Sequence, residues 1–115
     1  MTPPHLAPYT EAAGLVFLSG TLAIGPDGTI SATGIAPQTE QVLANIKTVL
    51  ESAGLSLADV VKTSVWLTQA ADFPGFNETY AKVFGGLRPA RSTVISGLAH
   101  PLALVEIEAV ARRPA

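Results

Sequence analysis

An α+β domain with the element order ββαβαββ is predicted by three features of the sequence. Apolar residues recur at the helical 3.6 period in two segments, 37–53 and 73–84. Short alternating or wholly apolar runs surround them, and Gly/Pro clusters separate the runs. A chain of 115 residues fits one domain spanning 1–115. Pro3, Pro4 and Pro8 make residues 1–9 extended. Leu15–Leu18 reads as a short buried strand ending at Ser19-Gly20. Thr21–Ile24 reads as a second strand running into the turn Gly25-Pro26-Asp27-Gly28, with Thr29-Ile30 opening a return strand. In 37–53, Val42, Leu43, Ile46, Val49, Leu50 and Ala53 form one apolar stripe, with Pro37 suited to the first turn and Gly54 to the left-handed position after the last. Ser56-Leu57-Ala58-Asp59 has the form of a capping turn. Val61–Leu67 alternates, with Val61, Thr63, Val65 and Leu67 on the core face. Phe73, Phe76, Tyr80, Val83 and Phe84 are the apolar side of the second helix, which Gly85-Gly86 ends. Strands Ser92–Ser96 and Leu104–Ala111 close the chain around a Gly97–Pro101 connection. Two helices then cover one face of a mixed sheet and leave the other bare.

Composition points the same way. Charged residues make up 14% and hydrophobic residues 48% of the chain, and the formal net charge is −2. An average domain carries about 25% charged residues. A surface this poor in charge is expected to meet protein, which argues for self-association. Lys47, Lys62, Lys82, Arg88, Arg91, Arg112 and Arg113 are scattered rather than striped, which argues against a nucleic-acid partner. No run approaches the ~18 apolar residues of a membrane span. The first basic residue is Lys47, so no secretory signal is visible and a cytoplasmic location is expected. The absence of cysteine excludes a disulfide scaffold, a zinc ribbon and a thiol nucleophile.

Few residues stand out as carriers of chemistry. No glycine-rich phosphate loop precedes a lysine. His5 and His100 lack metal-ligand spacing, so no metal is expected. Arg91 enters a strand within Pro89-Ala90-Arg91-Ser92-Thr93. Glu106 and Glu108 share one face of an otherwise apolar strand. One reading is a solvated strand face and a surface arginine. The other is a guanidinium fork that clamps a carboxylate, with a glutamate handling protons in the same pocket. The pattern fits a paired-carboxylate glycosidase poorly, because neighbours on one strand face point in parallel instead of flanking a bond.

Ala7-Pro8-Tyr9, Leu18-Ser19-Gly20, Gln38 to Ile46, Ala53-Gly54-Leu55 and Asp59 to Thr63 occur in a recognisable order. Asp72-Phe73, Asn77-Glu78-Thr79-Tyr80, Pro89-Ala90-Arg91-Ser92 and Val105-Glu106-Ile107-Glu108-Ala109 follow. Together they resemble the arginine-bearing branch of the RidA/YjgF family of reactive-intermediate imine deaminases, over nearly the whole chain. The resemblance implies a chorismate-mutase-like fold, a homotrimer with a cleft at each subunit interface, and cofactor-free hydrolysis of 2-imino acids and their enamines to 2-oxo acids and ammonia. It implies that Arg91 pairs with the substrate carboxylate and that Glu106 positions and activates water. Tyr9, Ser19 and Gly20 line the cleft on the same basis. Thr93 stands where the family often has cysteine, and Asn77 matches a family asparagine with a partly structural role.

Several residues depart from the family pattern. Glu11 adds a negative charge near a site meant for an anion, Gly85-Gly86-Leu87-Arg88 is a short connection, and Leu98-Ala99-His100-Pro101 replaces a common Leu-Pro turn. These bear on substrate size more than on reaction class. His100 is expected in a loop, and Trp66 and Tyr80 in core or interface packing. Burial among Leu104, Val105 and Ile107 is expected to raise the Glu106 pKa, and Arg91 to lower it. The alternatives are a non-catalytic small-molecule or protein-binding trimer and a ribonuclease or translation inhibitor.

Overall fold

A computed structural model describes residues 4–31 and 33–115. The elements are β1 (Tyr9–Ala12), β2 (Leu15–Leu18), α1 (Ile35–Ser52), β3 (Val60–Leu67), α2 (Phe73–Phe84), β4 (Ala90–Ile95) and β5 (Val105–Arg112). The five strands form one sheet in the order β1-β2-β5-β3-β4, so β1 and β4 are its edges. Only the β3–β4 pair is parallel, and α2 is its crossover. Such a crossover is what a parallel pair requires.

The element string matches the expected one, but its first strand differs. Thr21–Ile24 is not a strand; it makes a single bridge, Thr21 to Ile107. Thr29-Ile30 begins no return strand, because the 25–29 turn closes on itself. The Gly25 N–H donates to the Thr29 carbonyl, and the Asp27 carboxylate accepts from the Thr29 backbone and hydroxyl. The extra strand lies earlier, in β1. Ala13 and Gly14 both have positive φ, 54° and 78°, the geometry of a two-residue hairpin turn. Its polar residues Thr10 and Glu11 gave no strand signal. The extended run expected over 1–9 begins outside the described residues, and 4–8 enter no helix or strand.

Both helices lie where periodicity put them, and α2 has the expected limits. Pro37 falls within the first turn of α1, and Gly54 takes φ 75° just past its end. The 56–59 segment is a capping box, with Asp59 accepting from the Ser56 N–H and Ser56 from that of Ala58. Val42, Leu43, Ile46 and Leu50 of α1 pack with Phe76 of α2 onto Val16, Val65, Leu67, Val105 and Ile107 of the sheet. The strand irregularity between Val60 and Lys62 buries Val60 and turns Val61 outward to 41% exposure, against expectation. Such a bulge shifts the inside–outside alternation by one residue. No helix among the described residues is long and apolar enough to cross a membrane.

Among the described residues, no helix or strand layer covers the second sheet face. Cross-strand register places Phe17 beside Val110, Trp66 between Glu106 and Val94, and Ser64 beside Glu108 on that face. Phe17 and Val94 are 40% and 48% exposed.

Candidate active site

Arg91 lies on edge strand β4 and points to the helical face, since its register partner Thr63 is buried there. Its guanidinium carbon stands 4.8 Å from the Tyr80 ring centroid, 5.4 Å from Phe76 and 5.8 Å from Phe73. All three fall within the ~6 Å reach of a cation–π contact. The rings project from α2 at i, i+3 and i+7, the spacing that stacks side chains on one helix face. The Tyr80 hydroxyl shares a 2.8 Å hydrogen bond with the buried Thr63 hydroxyl. Burial pushes the Tyr80 phenol up from its ordinary pKa, so it stays neutral. One Arg91 Nη2–H donates to Asn77 Oδ1 at 2.9 Å. That partner is a neutral amide, so the Arg91 charge is oriented but not cancelled. Thr93 follows Arg91 on the same face of β4 and is half-buried. Arg91, Asn77, Tyr80 and Arg88 border a cavity of about 310 Å³ at the end of α2.

Glu106 lies on β5 and faces the uncovered side, opposite to Arg91. Val105 and Ile107, expected to desolvate it, point into the core instead. Glu106 is held against Gly20: a Cβ added to that glycine would overlap Glu106 Oε2. The backbone bridge between Thr21 and Ile107 fixes this approach. Burial first, and then the negative charge of Glu108, raise the Glu106 pKa above its ordinary value. Arg91 makes no counter-contribution within the protomer.

Ser19 and Gly20 follow β2, and Tyr9 lies on β1. The Ser19 hydroxyl donates to the Ala7 carbonyl at 2.6 Å, tying the N-terminal segment to the end of β2. Tyr9 pairs with Leu18 and rests half-buried against the core. Glu11 turns to Arg113, whose Nε–H donates to both carboxylate oxygens while Nη1 donates to Ala53 O. That ion pair compensates the charge expected to oppose an anion.

The expected residues therefore fall into two groups. Arg91, Asn77 and Thr93 sit at one edge, and Glu106, Gly20, Ser19 and Tyr9 occupy the middle and the far edge. Four strand spacings separate β4 from β1, roughly 19 Å at about 4.8 Å each. Glu106 is two spacings from β4 and on the opposite face. One protomer does not bring Arg91 and Glu106 onto a common small molecule.

Residues 2–113 match the protein family described as endoribonuclease L-PSP. The 3-aminoacrylate deaminase RutC of Acinetobacter baylyi is 44% identical over 114 residues, covering 96% of this chain and 90% of its own. The chain belongs to the RidA/YjgF family. Reactive Intermediate Deaminase A of Arabidopsis thaliana, a chloroplastic relative, is 42% identical over 95% of this chain and 60% of its own. Among solved structures, the yeast protein YEO7 superposes with a TM-score of 0.92 at 35% identity, covering 99% of this chain and 91% of that one. RidA from the Antarctic bacterium Psychrobacter gives 0.88 at 33% identity, over 97% and 91%. The RidA/YjgF fold is thus the fold of this chain, and deaminases stand among its relatives.

Within that frame, the sequence missed the residues that hold the site in place. The aromatic stripe of α2 was legible as core, but its role beneath Arg91 was not. Gln38 is buried; its amide donates to Leu102 O and its carbonyl accepts from the Leu104 N–H, fixing the entry to β5 just before Glu106. Asn45 donates to the carbonyls of Leu22 and Ile24 and so holds the segment that follows Gly20. A polar residue interrupting an apolar helical stripe was the available signal. His100 lies in the 97–103 loop, its Nδ1 accepting from the Leu102 N–H.

Proposed function

We propose that the protein hydrolyses 2-imino acids and their enamine tautomers to 2-oxo acids and ammonia, in a cleft built by two copies of the chain within a homotrimer. The observation that carries this reading is an Arg91 guanidinium oriented by the neutral Asn77 amide beside a cavity with no acidic residue on its lining; the pairing with Glu106 across two copies is the proposal. The uncovered sheet face with Phe17 and Val94, and the low charge content, supply a surface for the second copy. The deaminase names carried by relatives support the same chemistry.

In this mechanism Arg91 of one protomer grips the substrate carboxylate with its planar fork, fixing the adjacent imine carbon. Glu106 of the other protomer, ionised, takes a proton from water as the oxygen attacks that carbon. Glu106 passes that proton to nitrogen to give the neutral carbinolamine, then carries the hydroxyl proton to nitrogen as the C=O bond forms, the C–N bond breaks and ammonia leaves. Tyr9, Ser19, Gly20 and Thr93 would line the cleft around these atoms, with Asn77 orienting the guanidinium. Water and two side chains complete the step, with no cofactor.

A pyridoxal-phosphate dehydratase supplied with serine or threonine releases the substrate, and loss of the imine signal reports turnover. Arg91→Lys keeps the charge and loses the fork, so KM is expected to rise at least about tenfold. Wild-type kinetics in that variant would refute the clamp. A ribonuclease reading, which the family description suggests, is opposed by the scattered basic residues and the net charge of −2.

A further inference from the structure

The short connection between α2 and β4 places a second cation beside Arg91. Gly85, at φ 60°, ends α2, the Leu87 N–H returns to Phe84 O, and Arg88-Pro89 leads directly into β4. Arg88 consequently borders the same cavity of about 310 Å³ as Arg91, Asn77 and Tyr80. None of the residues bordering that cavity is acidic. Arg88 is exposed and makes no ion pair or hydrogen bond among the described residues. Glu78, a carboxylate on α2, is engaged by Lys82 at 3.6 Å. Two arginines thus border one concavity with no acidic residue on its lining to balance either.

An uncompensated pair of like charges raises the local potential and favours an anion that answers both. A volume near 310 Å³ lies at the small end of ligand pockets, which run about 300–1,000 Å³. We infer that Arg88 is a specificity residue that directs the site toward substrates with a second, distal carboxylate, namely imines of four- and five-carbon dicarboxylic amino acids. This inference rests on the proposed deaminase reading, with Arg91 taking the carboxylate beside the imine carbon and Arg88 the distal one. The outer position of Arg88 leaves its contribution partly screened, so the preference should weaken as salt is raised.

The test compares 2-oxoglutarate and oxaloacetate with 2-oxobutyrate by calorimetry at low salt. It is run on the wild-type protein and on Arg88→Ala, alongside turnover of the corresponding imines. The dianions should bind about 3- to 10-fold more tightly than the monoanion. Arg88→Ala should erase that preference and leave 2-oxobutyrate binding within about twofold. Equal binding of mono- and dianions by the wild type, or a preference that survives Arg88→Ala, overturns this inference while imine turnover leaves the deaminase reading standing. Absence of both turnover and binding overturns the two together.

Discussion

Gly20 offers the sharpest perturbation of the proposed chemistry, because its missing side chain is what admits the Glu106 carboxylate. A Cβ built there stands 3.2 Å from Glu106 Cδ and 3.6 Å from Cγ, and overlaps Oε2. The Gly20 φ is outside the left-handed region, so alanine meets no backbone strain and the whole effect falls on the carboxylate. To restore van der Waals separation the carboxylate must retreat by roughly 1 Å. A misplacement of about 1 Å costs on the order of 100-fold in rate, equivalent to about 2.7 kcal/mol of barrier. Gly20→Ala should therefore lower kcat about 100-fold in the dehydratase-coupled assay. KM should change less than about threefold, since the substrate carboxylate is held by Arg91 of the other protomer and not by the displaced carboxylate. Only the far end of a flexible side chain moves, so stability should shift by under about 1 kcal/mol and Tm by under about 5 °C. A variant that turns over at the wild-type rate would refute the assignment of Glu106 as the proton-handling group. So would a loss expressed only in KM.

Two further outcomes follow from the same geometry. Glu106 must be ionised to accept a proton, so activity should fall with acid as it protonates, and within the protomer burial and Glu108 both raise its pKa. Glu108→Gln removes one of those causes and should move the acid limb of kcat downward; an unmoved limb would contradict the coupling. The same shift has a stability sign: between the ordinary glutamate pKa and the raised folded one the native state holds more protons than the unfolded chain. Glu106 therefore stabilises at low pH, and that contribution is lost as pH rises through the folded value. Tyr80→Phe strips the buried Thr63 hydroxyl of its partner, at a cost of about 1–2 kcal/mol. At fixed protomer concentration Tm should drop by roughly 4–10 °C, and an unchanged Tm would show the bond to be dispensable.

The parts of the fold that were legible in the sequence are those where burial and local preference agree. The α2 limits, the α1 stripe and its Gly54 terminator, and the 56–59 capping box were readable because each residue's own chemistry fixes the local form. Strand β1 was not, because Thr10 and Glu11 face solvent on an edge and its turn uses Ala13-Gly14, a weaker signal than Asn-Gly. Alternation alone puts Val61 on the core face, but a bulge breaks the period-2 pattern without leaving a mark in composition. For the site, Arg91 and Glu106 stood out as polar residues in apolar strands. Their opposite faces follow from register and their separation from strand order, both of which depend on long-range pairing. The periodicity of Phe73, Phe76 and Tyr80 signals packing, and their distances to Arg91 show that a packed stripe can also orient a charge.

Subunit mixing addresses the shared site most directly. Arg91→Ala and Glu106→Gln, each inactive alone, are unfolded together in equal amounts and refolded, and imine hydrolysis is then measured. If each site draws its guanidinium and its carboxylate from different copies, random assembly regenerates about a quarter of the wild-type rate. Should the refolded mixture stay as inactive as its two components, the two groups do not meet across an interface and the proposed catalytic arrangement is wrong.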